Sequence, residues 1–442
     1  MNCKSLEPRL SLPRENSMKP RKGSLILIAI FTALCMCIAL PTSARADVIA
    51  DWNVIGLQEA VMAGRPGGAP AIDLATMHAA MYDAVQAIEQ DYEPYRVVDV
   101  PNATGSPVAA AAKAARDVLV SRFFARADAI NTLYVNYLIA NNIDPADPGI
   151  AVGTYVAGKL LAYRSCDGSL PIPAATFIGG TGIGQWRPTP PTFLAMNPGE
   201  YLGQVTPFFM TRPTQFRVPP PPAVTSKHYA RDYNEVKLYG ARTGSLRTPE
   251  QTDMAQFWAG NTFSAILSGV RNVAAARVDN VSDSSRLFAL VTMSQADTII
   301  GVWDAKFHYN YWRPLTAIRN GDVDGNPSTV GDATWDSLIN NPPYPDYTSG
   351  ANGVSSAAMY SLEHILETDS VDFTMTTTNT GPTNQDTRSY TSFSQAIQEV
   401  VDARVLLGIH FRFADEASRD LGKDVVKWGF KNYLRPRTGP RP

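Results

Sequence analysis

The stretch that decides the fold is Trp303-Asp-Ala-Lys-Phe-His-Tyr-Asn-Tyr-Trp-Arg-Pro314, in which two cations flank a run of aromatic residues. Apolar residues at three-and-four spacing lead into it, so the sequence predicts a long amphipathic helix over Ser282–Arg319, interrupted at Pro314. Lys306 and Arg313 are seven residues apart, about two turns of one helix, so we expect both cations on one face. Cations among aromatic side chains are costly to desolvate unless an anion joins them. The alternative is a solvated basic edge of a core helix.

A second segment, Pro345-Asp-Tyr-Thr-Ser-Gly-Ala-Asn-Gly353, leads into a predicted helix over Ser349–Leu366. A Ser-Gly turn at a helix N-terminus offers a hydroxyl, here Ser349, and free backbone N–H groups, here at Gly350. Such groups suit an anion. The alternative is a plain helix cap, with Thr348 or Ser349 as the capping residue.

The third segment is Arg404-Val-Leu-Leu-Gly-Ile-His-Phe-Arg-Phe413. Arg404 and His410 are six residues apart and would lie about 120° apart on one unbroken helix. Gly408 permits a break between them, after which His410 opens a helix that runs to Tyr433. The alternative is a histidine that belongs only to the hydrophobic core of an aromatic run.

The whole chain predicts an all-α protein, a helical bundle in which a long Pro- and Gly-rich coil over Pro171–Pro222 lies between two helical halves. The N-terminal half with its coil spans 47–225, and the C-terminal half with the three segments above spans 226–442. One strand is predicted over Val371–Thr378. The other predicted helices are Asp51–Ala63, Ile72–Glu89, Val108–Phe124, Ala125–Ala140, Pro148–Tyr163, Ser226–Leu238, Thr248–Ala259, Asn261–Asn272 and Ser392–Leu407.

The N-terminus predicts an export signal. A basic segment precedes a nearly unbroken apolar run over Ser24–Leu40, and small residues at Ala44 and Ala46 form a cleavage pattern. We expect a signal peptide over residues 1–46, a periplasmic or extracellular protein, and no membrane contact after cleavage; the alternative is an uncleaved anchor. Cleavage would leave Cys166 as the one cysteine, so no intramolecular disulfide could form.

The composition gives information about the class of partner that the protein binds. Hydrophobic residues make up 45% and charged residues 18% of the 442, which is ordinary for a folded globular protein. The formal net charge of −2 gives no reason to expect nucleic acid or an anionic membrane as a partner.

Taken in order, the three segments resemble the motifs of the superfamily that contains the vanadium-dependent haloperoxidases and the type-2 phosphatidic acid phosphatases. The segments 303–314 and 408–413 look like the first and third motifs of its bacterial secreted haloperoxidase-like branch. The N-terminal strings Ala46–Trp52 and His78–Ala84 also resemble that branch, so the likeness covers most of the chain. The family implies a helical bundle that holds a tetrahedral oxyanion, vanadate or phosphate, at one end.

The resemblance also implies a role for each matching residue. His410 Nε2 would bind the metal of vanadate, or attack phosphorus in a phosphatase, and Lys306 and Arg404 would share in catalysis with it. Cations and neutral hydrogen-bond donors would hold the oxygens of the oxyanion. The cations are Lys306, Arg313 and Arg404, and the donors are the Ser349 hydroxyl and the Gly350 N–H.

The sequence departs from the family pattern at two functional positions. Ala351 stands where the second motif has a histidine that serves as the general acid-base, a function typically worth about 10² to 10⁴ in rate. Ala414 stands where the family often has an aspartate that could orient the third-motif histidine. Asp415 follows it, but one residue shifts a helical side chain by about 100°, which makes its orienting role doubtful.

A substitute for the missing imidazole is conceivable near the Ser-Gly turn. We hypothesise that Asp346, Tyr347, Asn352 or ordered water supplies the proton path. His308 lies two residues after Lys306 and would face about 200° away, so it is a poor substitute.

Three functions follow as hypotheses from the resemblance and its gaps. The first is a vanadate-dependent haloperoxidase-like enzyme that oxidises halide with hydrogen peroxide and that Ala351 would impair. The second is a soluble acid phosphatase that acts on phosphomonoesters with His410 as the nucleophile. The third is a non-catalytic anion-binding protein, which Ala351 favours.

Overall fold

Helices dominate the computed structural model, which describes residues 47–195, 199–378 and 385–438. The predicted all-α class is confirmed. In chain order the helices are α1 Val48–Met62, α2 Ala69–Glu89, α3 Pro107–Arg122, α4 Ala127–Ala140, α5 Pro148–Tyr163, α6 Lys227–Tyr239, α7 Pro249–Phe257, α8 Thr262–Arg277, α9 Val281–Tyr309, α10 Pro314–Arg319, α11 Gly350–Leu366, α12 Phe393–Leu406 and α13 Arg412–Asn432. Short 3-10 turns occur at Phe124–Arg126, Glu200–Gln204 and Gly321–Val323.

Many helices begin where a side chain satisfies an orphan backbone N–H. Asp147 accepts from Gly149 N at 2.7 Å at the start of α5, and Pro148 occupies the first helical position. Thr248 forms a capping box with Gln251 at the start of α7. Such local signals explain why predicted and observed boundaries agree within a few residues.

The bundle is built around α9, a 29-residue helix that is buried on nearly all sides. It packs against α2, α11 and α13, and all four helices contribute to the main hydrophobic core. Residues from nearly every turn of α9 are buried, the polar ones included, which places this helix in the middle of the bundle. The three sequence segments described above lie at the C-terminal end of α9, at the N-terminal end of α11 and at the junction between α12 and α13.

Two strands interrupt the helices between α11 and α12. β1 (Phe373–Thr376) pairs antiparallel with β2 (Thr387–Tyr390), with Phe373 opposite Tyr390. The strand predicted over 371–378 is therefore confirmed, whereas β2 was not predicted. β2 is short and mostly exposed, so it lacks the apolar alternation that marks a strand in sequence.

The Pro- and Gly-rich coil contains no helix other than the turn at 200–204 among its described residues. Asp297 of α9 holds this coil in place. The buried Asp297 carboxylate accepts hydrogen bonds from the backbone N–H groups of Phe208, Phe209 and Met210 at 2.6, 2.8 and 2.7 Å. The coil is thus ordered by side-chain acceptors rather than by regular structure.

We expect Asp297→Asn to lower the free energy of unfolding by about 2 to 4 kcal/mol, because a single amide oxygen cannot accept three buried N–H groups. Urea denaturation followed by circular dichroism measures the change. Asp304→Asn on the same helix is the control, since Asp304 makes a partly exposed pair with Arg217 and should change stability by at most about 1 kcal/mol. Equal stability of both variants would show that the coil does not depend on Asp297.

The N-terminal predictions lie outside the described residues, because the signal peptide predicted over 1–46 is not among them. Within the described ranges, no helix combines the length and the apolar character that crossing a membrane requires. The described residues belong to one compact unit, Ala46–Pro442, and the boundary proposed at 225/226 stays a prediction. Cys166 is exposed and makes no disulfide.

Candidate functional site

Lys306 lies in the last turn of α9 and is almost fully buried. Its ammonium donates to the carbonyl oxygens of Pro345 at 2.7 Å and Asp346 at 3.0 Å. Burial, and then the nearby charge of Arg313, lower the pKa of Lys306 well below its usual range. The amine is therefore bound to the loop before α11, where the nearby carboxylates do not offset the effects of burial and of Arg313 on its pKa.

Arg313 does not share a helix with Lys306, so the predicted arrangement of both cations on one helical face is wrong. Helix α9 ends at Tyr309, where Asn310 adopts the left-handed conformation with φ 46°, and Arg313 precedes α10 in extended backbone. Pro314 accounts for the start of α10 but not for the break four residues earlier. The chain leaves the helix at Asn310 because Trp312 N donates to the carbonyl of Gly184 in the long coil.

The two cations nevertheless meet through the loop before α11. Arg313 is fully buried and its Nε donates to the carbonyl of Tyr344 at 2.9 Å. The ring of Tyr344 lies 5.0 Å from Lys306 Nζ and 4.9 Å from Arg313 Cζ, so one aromatic face covers both charges. Tertiary contacts, and not helical periodicity, bring the cations together.

The break predicted at Gly408 is confirmed. Gly408 has φ 76°, and a Cβ there would lie 2.4 Å from the carbonyl oxygen of Gly240, so only glycine fits. His410 lies in the loop after this break, two residues before α13 begins at Arg412, so it does not open that helix. The loop turns His410 toward Arg313, whose Nη1 lies 3.3 Å from Nε2 of the imidazole.

Arg404 lies near the C-terminal end of α12 and is buried. Its Nη1 donates to the carbonyl of Trp258 at 2.9 Å, which fixes one edge of the guanidinium. The positive charges of Arg313, Lys306 and Arg404, in that order after burial, lower the pKa of His410 well below its usual range. All three predicted cations therefore act on one buried imidazole.

The start of α11 differs in part from the expected anion cradle. Ser349 is the N-cap residue by position, but its hydroxyl makes no capping bond. The hydroxyl instead accepts from Asn352 Nδ2 at 3.3 Å and bonds to the carboxyl of Asp415. At Gly350 an added Cβ would meet nothing within 4 Å, so the first turn of the helix borders open space. The Ser349 hydroxyl is therefore already engaged, whereas the backbone at Gly350 borders open space.

Asp346 is the residue that sequence reasoning did not place. It is fully buried, and its Oδ1 lies 2.7 Å from Nδ1 of His410 and 3.4 Å from Nη1 of Arg313. Burial, opposed by the charges of Arg313 and Lys306, raises the pKa of Asp346 to about 7. The available signal in the sequence was a carboxylate three residues before Ser349, which the sequence alone indicates only as part of a proton path.

The contacts of Asp415 agree with the expectation that it does not orient the His410 ring. It is buried and accepts from Asn352 Nδ2 at 2.8 Å, beside the Ser349 hydroxyl. Burial raises the pKa of Asp415 well above its usual range. The exposed His308 lies outside this buried cluster, as expected.

The donor set fits an oxyanion. Arg313 Nη2 and Arg404 Nε are buried and have no hydrogen-bond partner among the residues that the structure describes. Buried guanidinium N–H groups without acceptors are costly, and an oxyanion between them would supply those acceptors. No group of three or more His, Cys, Asp or Glu residues in the described ranges is arranged to hold a bare metal cation.

Comparison with known proteins agrees with this geometry. Residues 286–439 match the family model described as the VCPO second helical-bundle domain. The segment that carries the site thus resembles a domain of the vanadium-dependent haloperoxidase superfamily. The matched range contains all six residues predicted for the oxyanion site of that superfamily, which are Lys306, Arg313, Ser349, Gly350, Arg404 and His410.

Individual haloperoxidases resemble the chain at low identity. The vanadium chloroperoxidase of Curvularia inaequalis is 23% identical over 288 residues, and the match covers 50% of this chain and 46% of that protein. The chain thus spans about half the length of this curated relative.

Two solved haloperoxidase structures share the fold. One is described as the first bacterial vanadium-dependent iodoperoxidase, with a TM-score of 0.72 and 22% identity over 88% of this chain and 97% of that chain. The other is an apo-type bacterial vanadium-dependent chloroperoxidase, with a TM-score of 0.66 and 17% identity over 81% of this chain and 91% of that chain.

Proposed function

We propose that this protein binds vanadate and acts as a haloperoxidase-like enzyme that oxidises halide with hydrogen peroxide. The observation that carries the proposal is the buried cluster of Lys306, Arg313 and Arg404 around the imidazole of His410, with guanidinium N–H groups left without acceptors. The names of the similar proteins add support, since they are vanadium-dependent peroxidases.

Each residue of the cluster would make a different contact with vanadate. Lys306, Arg313 and Arg404 would neutralise its oxygens, the Gly350 N–H would donate a hydrogen bond, and His410 would be the ligand through Nε2. The Ser349 hydroxyl would have to leave Asp415 before it could donate. Bound vanadate supplies a Lewis-acid centre that activates peroxide without a change of oxidation state.

Ala351 limits the expected rate. It occupies the second position of α11, beside the Gly350 N–H, and its methyl group can neither take nor give a proton. Loss of general acid-base help typically costs about 10² to 10⁴ in rate. We therefore expect vanadate-dependent turnover that is slow, with the anion site itself intact.

A phosphatase that uses His410 as nucleophile is the second candidate, and the pairing of Asp346 with His410 favours it. Enzymes also use a carboxylate paired with an imidazole, as Asp346 is paired with His410, to orient a nucleophilic or basic histidine. The third candidate, a non-catalytic anion-binding protein, rests on Ala351 and on the engagement of Ser349 by Asp415.

Parallel assays on the purified protein separate the three candidates. With vanadate and hydrogen peroxide, we expect slow oxidation of bromide, read by halogenation of a phenol dye, and inhibition by added phosphate. Without vanadate, we expect no hydrolysis of an aryl phosphate above the uncatalysed rate. Aryl phosphate hydrolysis that vanadate inhibits would select the phosphatase, and vanadate binding without either reaction would select the anion-binding protein.

We also propose that the protein is exported to the periplasm or beyond. The basic segment, apolar run and small-residue cleavage pattern of residues 1–46 support this placement. N-terminal sequencing of protein recovered from the culture medium or the periplasm tests it, and a chain that keeps residue 1 in the cytoplasmic fraction would refute it.

A further inference from the structure

The chemistry of its two neighbours determines the protonation pattern of the His410 ring. Nε2 faces Nη1 of Arg313 at 3.3 Å, and a guanidinium group carries donors but no acceptor. Nε2 must therefore present its lone pair. Nδ1 lies 2.7 Å from Oδ1 of Asp346, and a carboxylate accepts. The Arg313 contact thus favours the neutral imidazole with its proton on Nδ1, and Asp346 Oδ1 is the acceptor within reach of that proton.

Asp346 is held in place from several directions. Its N–H donates to the carbonyl of Tyr311 at 2.9 Å, and its own carbonyl accepts from Lys306. Its carboxylate also accepts the backbone N–H of Phe411, the residue that follows His410. The carboxylate and the histidine loop are therefore fixed to each other, and the loop before α11 cannot shift without moving His410.

No other carboxylate is placed for this contact among the described residues of the cluster. Asp415 is bonded to Asn352 and Ser349, and the position before it is Ala414. In the structure the Nδ1–H is not aligned with Oδ1 of Asp346, yet Nδ1 has no other hydrogen-bond partner in the described ranges. Bonds of this kind are often bent until the ligand binds.

We propose that Asp346 is the positioning residue for His410: it accepts the Nδ1–H and keeps the Nε2 lone pair available to an oxyanion. The orienting carboxylate thus comes from the loop before α11 and not from α13. The link to the oxyanion rests on the proposed function, whereas the pairing itself does not. Outer partners that fix a ligating histidine are typically worth about 10- to 100-fold in affinity.

Nitrogen NMR of histidine-labelled protein without vanadate reads the tautomer directly. The chain has 5 histidines, and loss of one signal in His410→Gln assigns the ring of interest. Wild-type protein should show His410 with its proton on Nδ1 at neutral pH. In Asp346→Asn the ring should populate both tautomers, while Asp346→Glu should restore most of the wild-type pattern.

Asp415→Asn is the matched control, because it also removes a buried carboxyl of the cluster but does not contact His410; it should leave the His410 tautomer unchanged. Vanadate affinity, measured by calorimetry, should fall about 10- to 100-fold in Asp346→Asn. A wild-type ring with its proton on Nε2, or an Asp346→Asn variant with unchanged tautomer and affinity, would overturn the proposal. Wild-type protein with the expected tautomer but no vanadate binding would refute the proposed function and leave the pairing standing.

Discussion

Replacement of Ala351 by histidine is expected to raise the turnover of bromide oxidation by roughly 10² to 10⁴, the usual worth of a general acid-base. The position follows Gly350, where the first turn of α11 borders open space, and Ala351 itself is only partly buried. An imidazole there would stand beside the N–H groups proposed to receive the anion. Steady-state halogenation of a phenol dye, with vanadate and peroxide saturating, measures the effect.

The control for this gain is Ala351→Gln, which adds similar bulk and hydrogen-bonding atoms but no group that titrates near neutral pH. Vanadate affinity should stay within a few-fold in both variants, since neither removes a cation. If Ala351→His turned over bromide no faster than Ala351→Gln, the site would lack more than its acid-base, and the result would count against the haloperoxidase proposal.

Replacement of His410 by alanine is expected to weaken vanadate binding by more than about 100-fold, because even the outer partners of a ligand are worth 10- to 100-fold. The change deletes the one atom proposed to bond the metal, but leaves Lys306, Arg313 and Arg404 to attract the anion. Phosphate, which needs only the charges, should lose less affinity than vanadate. Isothermal calorimetry with each anion measures both changes.

His308→Ala is the matched control for the His410 variant. His308 is exposed and lies two residues from Lys306, so it shares the neighbourhood in sequence but not in space. Its removal should change neither affinity. Equal losses of vanadate and phosphate in His410→Ala would argue that the imidazole acts only through packing, and that no bond to the metal forms.

Much of the architecture followed from local sequence signals. Capping residues such as Asp147 and Thr248 marked helix starts, and Gly408 marked the break that frees His410 from α12. These features act through bonds to residues close in the chain, so a single sequence displays them.

The geometry of the site was less accessible, since it depends on contacts between distant segments. The break after Tyr309 follows from an interaction with Gly184 in the coil, more than a hundred residues away, and periodicity gave no sign of it. The role of Asp346 depends on the loop of His410 folding over it. Motif order indicated which residues to consider together, but it could not say which atoms face each other.

Nothing in the sequence indicated that other side chains bond to the Ser349 hydroxyl. This hydroxyl was predicted to donate to an anion, yet Asp415 and Asn352 already engage it. A carboxyl one residue away from the expected position approaches the helix start from another side, which only the packing of α13 on α11 determines. Local sequence patterns identify hydrogen-bond donors, whereas the tertiary structure determines which acceptor each donor contacts.

The central claim is that three cations and one imidazole hold a single oxyanion. Crystals soaked with vanadate, with diffraction data collected at the vanadium absorption edge, test it most directly. We predict one anomalous peak within bonding distance of His410 Nε2, flanked by Lys306, Arg313 and Arg404. A peak elsewhere on the surface, or none at vanadate concentrations that saturate binding in solution, would contradict the account.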